Sequence, residues 1–123
     1  MTNRSLVSVV DDDESVRESL PDLLRELGFA AQAFSSAEKF LTSGYLGQTN
    51  CLILDIAMPG MTGPDLQREL VSQGHRIPIV FITALGDKTL RPRLIQQGAV
   101  DCLIKPFSDT ALLNALNTAL HRS

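Results

Sequence analysis

Short apolar runs alternate along the chain with stretches whose apolar residues recur every three or four positions. Ser5-Leu6-Val7-Ser8-Val9-Val10 is a β-branched run that stops at an acid cluster. Behind it, Val16, Leu20, Leu23, Leu24 and Leu27 fall at helical spacing, and Gly28 stands where a helix C′ residue belongs. Phe29 to Phe34 predicts a weaker second strand, and Ser35-x-x-Glu38 has the form of a capping box opening a second helix. Cys51-Leu52-Ile53-Leu54 is continuously apolar, the pattern of a strand buried on both faces of a parallel sheet. The turn-forming Pro59-Gly60-Met61-Thr62-Gly63 precedes a third helix carrying Leu66 and Leu70. Ile79-Val80-Phe81-Ile82 predicts a fourth strand and Thr89 to Gln97 a fourth helix. Cys102-Leu103-Ile104 predicts a fifth strand and Thr110 to His121 a fifth helix.

Five βα units of this length predict an α/β fold: a doubly wound, five-stranded parallel sheet flanked by five helices. Right-handed crossovers make the order 2-1-3-4-5, as in flavodoxin-like folds, the expected topology. Ligands of such sheets bind at the carboxyl ends of the strands, beside the switch point between strands one and three. Pro21 breaks a local rule, because an interior proline removes a helix hydrogen bond and costs about 3 kcal/mol. Val16 and Leu20 already fit the apolar stripe, so a kinked helix running through Pro21 is expected rather than a late start.

Composition narrows the class. A chain of 123 residues with 44% hydrophobic and 20% charged residues suits one globular domain, residues 1–123, and is far from a disordered composition. No apolar run approaches the ~18 residues of a membrane span, and Met1-Thr2-Asn3-Arg4 does not open a signal peptide. The net charge of -3 argues against direct binding of nucleic acid or an anionic membrane. Two cysteines, Cys51 and Cys102, make neither a disulfide framework nor a zinc site. A cytoplasmic location is expected. His75 is expected to be solvated in its loop, His121 to sit near a helix C-terminus, and Cys51 to be a reduced core residue.

The first strand ends in Asp11-Asp12-Asp13-Glu14. Alone, the cluster reads equally well as a helix N-terminal cap, where carboxylates meet free N–H groups and suit the dipole. Asp55, closing the central apolar strand at the equivalent level, shifts the balance toward a metal site. Two carboxylates ~4 Å apart repel by ~4 kcal/mol at an effective dielectric of 20. Three therefore favour a hard divalent cation, and oxygen ligands with open water positions suit Mg²⁺. Thr83 ends the fourth strand and Lys105-Pro106-Phe107 the fifth. Singly, Thr83 is a helix cap and Lys105 a snorkelling surface lysine. Sharing one crevice with the acids, they complete the equipment for phosphoryl transfer, where positioning and charge neutralisation supply most of the catalysis.

Val9-Val10-Asp11-Asp12-Asp13, Leu54-Asp55-Ile56-Ala57-Met58-Pro59-Gly60-Met61-Thr62-Gly63, Ile82-Thr83-Ala84 and Lys105-Pro106-Phe107 resemble the receiver domains of two-component response regulators, with the CheY-like fold. The resemblance covers the whole chain. It implies that Asp55 accepts a phosphoryl group from a sensor histidine kinase. It implies that Asp11, Asp12, Asp55 and the Ala57 carbonyl hold Mg²⁺, that Thr83 and Lys105 contact the phosphoryl oxygens, and that Lys105-Pro106 is cis. A receiver of this kind catalyses its own phosphorylation and dephosphorylation rather than acting as a conventional enzyme. Phosphorylation would switch the surface of helix four, strand five and helix five, and a homodimer formed on phosphorylation is among the implied partners. The chain departs from the family at Cys102, where an aromatic residue is usual, and carries apolar Ala57 and Leu85 at rim positions where many relatives are polar.

A haloacid-dehalogenase-like phosphatase is the enzyme rival, with Asp11 as nucleophile; it leaves Asp55 without a task and lacks an acidic pair after Lys105. An FMN binder fits worse, because acids stand where phosphate-binding N–H groups are needed. A phosphorylation-independent interaction module on the same fold is the third reading. No output motif follows the last helix, so a stand-alone receiver and a fragment of a longer regulator are both consistent with the sequence.

Overall fold

The computed structural model describes residues 4–84 and 89–121. Strands β1 (Leu6–Val10), β2 (Ala30–Phe34), β3 (Cys51–Asp55), β4 (Ile79–Thr83) and β5 (Asp101–Ile104) alternate with helices α1 (Glu14–Glu26), α2 (Ala37–Leu41), α3 (Gly63–Ser72), α4 (Leu90–Gln96) and α5 (Asp109–Leu120). All strand pairs are parallel, in the order β2-β1-β3-β4-β5 expected from the sequence.

The central strands are apolar throughout because both faces are covered, and the period of two sends alternate residues to opposite layers. Val7, Val9, Ile53, Val80 and Ile82 pack with Leu20 and Leu24 of α1 and Leu112 and Leu116 of α5. Val10, Leu52, Leu54, Ile79 and Phe81 pack with Phe40 of α2, Leu66 and Leu70 of α3 and Leu94 of α4. Two helices thus cover one face and three the other. β1 and β3 are adjacent while their crossovers leave toward opposite edges, so the ends of those two strands open a crevice.

Local signals explain most boundaries. Helix α1 runs through Pro21, which is buried, as the apolar stripe required. At its end Gly28 takes φ 100°, its N–H bonds the Arg25 carbonyl, and the Phe29 N–H bonds the Leu24 carbonyl, turning the chain directly into β2. The capping box expected at Ser35 and Glu38 does not form. Ser36 is the cap, accepting from the Lys39 N–H, because the helix starts one residue later and places a lysine where the box needs an acid. The full box is at α3: Thr62 accepts from the Asp65 N–H and Asp65 accepts from the Thr62 N–H. His75, expected in solvent, is half-buried, and its N–H bonds the Leu70 carbonyl just beyond the end of α3.

Candidate functional site

Register brings the sequence-derived residues to one end of the sheet. Asp55 pairs with Ile82, so Thr83 follows on the neighbouring strand one step higher. Thr83 pairs with Ile104, and the Lys105 N–H donates to the Thr83 carbonyl at 2.8 Å. Asp11 is the first residue past β1, anchored by its N–H to the Phe34 carbonyl at 3.1 Å. Asp11, Thr83 and Asp55 are buried, Asp12 is exposed and Lys105 lies between. Ala57 is on the exposed rim two residues beyond Asp55, and Lys105-Pro106 is cis. Leu85 lies outside the described residues.

One carboxylate oxygen from each of Asp11, Asp12 and Asp55 falls within 4.8 Å of the others. Both Asp11 oxygens are engaged: Oδ1 accepts from the Asp13 N–H at 2.9 Å, and Oδ2 accepts from the Lys105 ammonium at 2.8 Å. The same ammonium is 4.0 Å from Asp55 Oδ1. Lys105 is therefore the local counter-charge to two acids, and it does not neutralise three. The imbalance appears at Asp55, whose carboxyl is pushed up to about 7 by burial first and by the Asp11 charge second, with Lys105 opposing both. For Lys105, burial works against the charge, but the bond to Asp11 and the surrounding carboxylates outweigh it and raise its pKa. Asp13 has a separate task. It caps α1 through the Ser15 N–H and hydroxyl, and those bonds hold its carboxyl below the usual range. The acid run thus divides: two residues face the crevice and the third caps the helix.

An all-oxygen set, closed by the sheet on one side and open to water at Asp12, fits a hard divalent cation such as Mg²⁺. The buried excess of negative charge is the feature such an ion would relieve.

The sequence reading assigned no role in the site to two residues that build it. Gly63, at the start of α3, donates its N–H to the Ile56 carbonyl at 3.0 Å. A Cβ there would overlap the Asp55 carbonyl and stand 3.0 Å from the Phe81 ring, so only glycine lets α3 close against the end of β3. The signal was a glycine just after a possible Thr cap. Arg17 donates from Nη1 to the Asp11 carbonyl at 3.0 Å; an arginine on an amphipathic helix carries no such signal in sequence. Cys102 is buried on β5.

Residues 7–117 match the model of the response regulator receiver domain. The chain belongs to this family. As a receiver domain it is 43% identical over 116 residues to the response regulator protein TodT of Pseudomonas putida, a match covering 94% of this chain and 51% of that protein. It is 44% identical over 121 residues to nodulation protein W of Bradyrhizobium diazoefficiens, covering 98% and 53%. The chain thus spans about half the length of the curated relatives it matches. Among solved structures, the receiver superposes on the response regulator StyR with a TM-score of 0.87 at 46% identity, covering 97% of this chain and 60% of that one. On FixJ-N the TM-score is 0.86 at 35% identity, covering 99% and 98%. No helix among the described residues of the receiver is long and apolar enough to cross a membrane.

Proposed function

We propose that this receiver, taken as residues 1–123, accepts a phosphoryl group on Asp55 from a phosphohistidine of a sensor kinase in the cytoplasm. The observation that carries the reading is the division of labour between the two buried acids. Asp11 has both oxygens committed to Lys105 and the Asp13 N–H, whereas Asp55 has Lys105 only at 4.0 Å. Asp55 is the buried carboxylate that Lys105 does not bind closely. This also counts against the phosphatase reading, in which Asp11 is the nucleophile.

In the proposed transfer an Asp55 carboxylate oxygen forms a bond to phosphorus as the phosphorus–nitrogen bond breaks, and the imidazole leaves with the electron pair. Lys105, between Asp11 and Asp55, can follow the charge as it moves from the carboxylate to the phosphoryl oxygens. Thr83, one register step from Asp55, supplies a hydroxyl at the height where those oxygens would sit. Asp11, Asp12, Asp55 and the Ala57 carbonyl would hold Mg²⁺, which when bound supplies positive charge to offset the acids and the incoming phosphoryl group. With a pKa of about 7, Asp55 is partly protonated near neutrality in the absence of a cation, and the nucleophile is its ionised form. Phosphorylation would then act on the surface of α4, β5 and α5, where Ile104 is an exposed large apolar residue suited to a partner or a second copy.

The test is chemical trapping. After incubation with acetyl phosphate and Mg²⁺, borohydride reduction and peptide mapping should find the modification at Asp55. Modification at Asp11 would overturn the assignment in favour of the phosphatase chemistry.

A further inference from the structure

We infer that Arg17 is a positioning residue for the cation site, acting through the backbone of Asp11 to place Asp12; the inference rests on the reading of the acid cluster as that site. Besides the Lys105 bond to Asp11 and the Ser15 bonds to Asp13, three hydrogen bonds hold the loop between β1 and α1. The Asp11 N–H is tied to the Phe34 carbonyl, the Asp13 N–H to the Asp11 carboxylate, and the Asp11 carbonyl to Arg17 Nη1 at 3.0 Å. The third is the only one of these made by a side chain from the helix body, six residues along the chain.

Its consequence follows from peptide planarity. The Asp11 carbonyl and the Asp12 N–H and Cα lie in one plane, so fixing that oxygen sets the direction in which Asp12 leaves β1. Asp12 is the exposed member of the cluster, and it reaches Asp11 and Asp55 through this backbone rather than through packing. Arg17 is half-buried, and α1 is held to the sheet by Leu20 and Leu24. The guanidinium therefore refers the Asp11–Asp12 peptide to a rigid element instead of to water. A rigid helix is the better reference, since a site one ångström too loose loses much of its affinity.

Charge and position have opposite consequences here, which makes the inference decidable. As a cation near three carboxylates, Arg17 competes with Mg²⁺, and neutralising it would tighten the metal. As the anchor of Asp12, it prepares the site, and neutralising it would weaken the metal. We take the second effect to win, because the hydrogen bond is direct and, among the described residues, Arg17 makes no ion pair with Asp11, Asp12 or Asp55.

The experiment measures Mg²⁺ binding by calorimetry at 25 °C on the metal-stripped chain, alongside melting temperatures. Arg17→Gln and Arg17→Ala are expected to weaken Mg²⁺ about tenfold, the lower end of the range for residues that orient metal ligands. Arg17→Lys, which can still donate one bond to the Asp11 carbonyl, is expected to recover most of the affinity. Ser19→Ala removes a side-chain bond to the Ser15 carbonyl within the same helix and none to the Asp11–Asp12 peptide, and should leave Mg²⁺ binding unchanged. Unchanged or tighter binding in Arg17→Gln, with wild type binding normally, overturns the positioning role even if the variant melts lower. Loss of affinity in Ser19→Ala equal to that in Arg17→Ala overturns it too, since the effect would then belong to helix stability. If wild type binds no Mg²⁺, or Asp12→Asn binds it as wild type does, the cation-site reading itself falls and the inference with it.

Discussion

Replacing Asp55 with asparagine should stabilise the metal-free receiver at neutral and alkaline pH and have almost no effect in acid. The carboxyl has a pKa of about 7 in the fold against 3.8 as a model value, because burial and the Asp11 charge disfavour the ion. Below pH 4 the acid is protonated in both the folded and unfolded chain and costs nothing. Between 4 and 7 the unfolded chain ionises first, the folded state binds more protons, and stability falls as pH rises. Above 7 the whole cost is present. At face value the shift corresponds to about 4 kcal/mol. The exposed rim at Asp12 and Ala57 and the Lys105 ammonium 4.0 Å away screen the charge, which leaves roughly 1–2 kcal/mol. In a domain of this size that is a rise of several degrees in melting temperature. The assay is thermal unfolding by far-UV circular dichroism in EDTA, at pH steps from 4 to 8.5, for wild type and Asp55→Asn. The difference between the two curves should grow through pH 5–7 and then level. An asparagine variant no more stable than wild type at pH 8 would refute the reasoning, as would one equally stabilised at pH 4.

Three further outcomes follow from the same geometry. Millimolar Mg²⁺ should raise the melting temperature of wild type at pH 8, and Asp12→Ala should raise it only without the metal; a wild-type curve unmoved by Mg²⁺ counts against the site. Gly63→Ala forces a Cβ into the Asp55 carbonyl and should cost about 2 kcal/mol in denaturant unfolding, with slower phosphorylation of the fraction that remains folded. Cys51 is fully buried with its thiol pushed up to about 12, and Cys102 is buried and raised as well, chiefly by desolvation; neither should react with a thiol reagent at pH 8 faster than the chain unfolds.

Layer order, strand pairing and the crevice were legible because the pattern states them directly. A strand such as Cys51–Leu54 can be apolar at every position only between two helical layers, and five such units admit few topologies. Asp11, Asp55, Thr83 and Lys105 were legible because each ends a strand, and parallel register carries strand ends to one level. Features that depend on the path of a single side chain were not. Ser35 and Ser36 are adjacent and both can cap, and the choice is decided by where Ala37 and Phe40 pack. Arg17 looks like any solvated arginine until the loop folds back beneath it. Gly63 reads as turn chemistry, whereas its role is close approach of α3 to the nucleophile's own carbonyl. The separation of Asp13 from its two neighbours likewise needed the helix start to be fixed at Glu14.

The central claim is that Asp55 is the phosphoryl acceptor and that it works only with a divalent cation in the acid cluster. Intact-mass spectrometry after exposure to acetyl phosphate tests both parts at once. Wild type in Mg²⁺ should gain the mass of one phosphoryl group, while wild type in EDTA and Asp55→Asn in Mg²⁺ should gain none. An Asp55→Asn chain that acquires the same phosphoryl group as wild type would contradict the account.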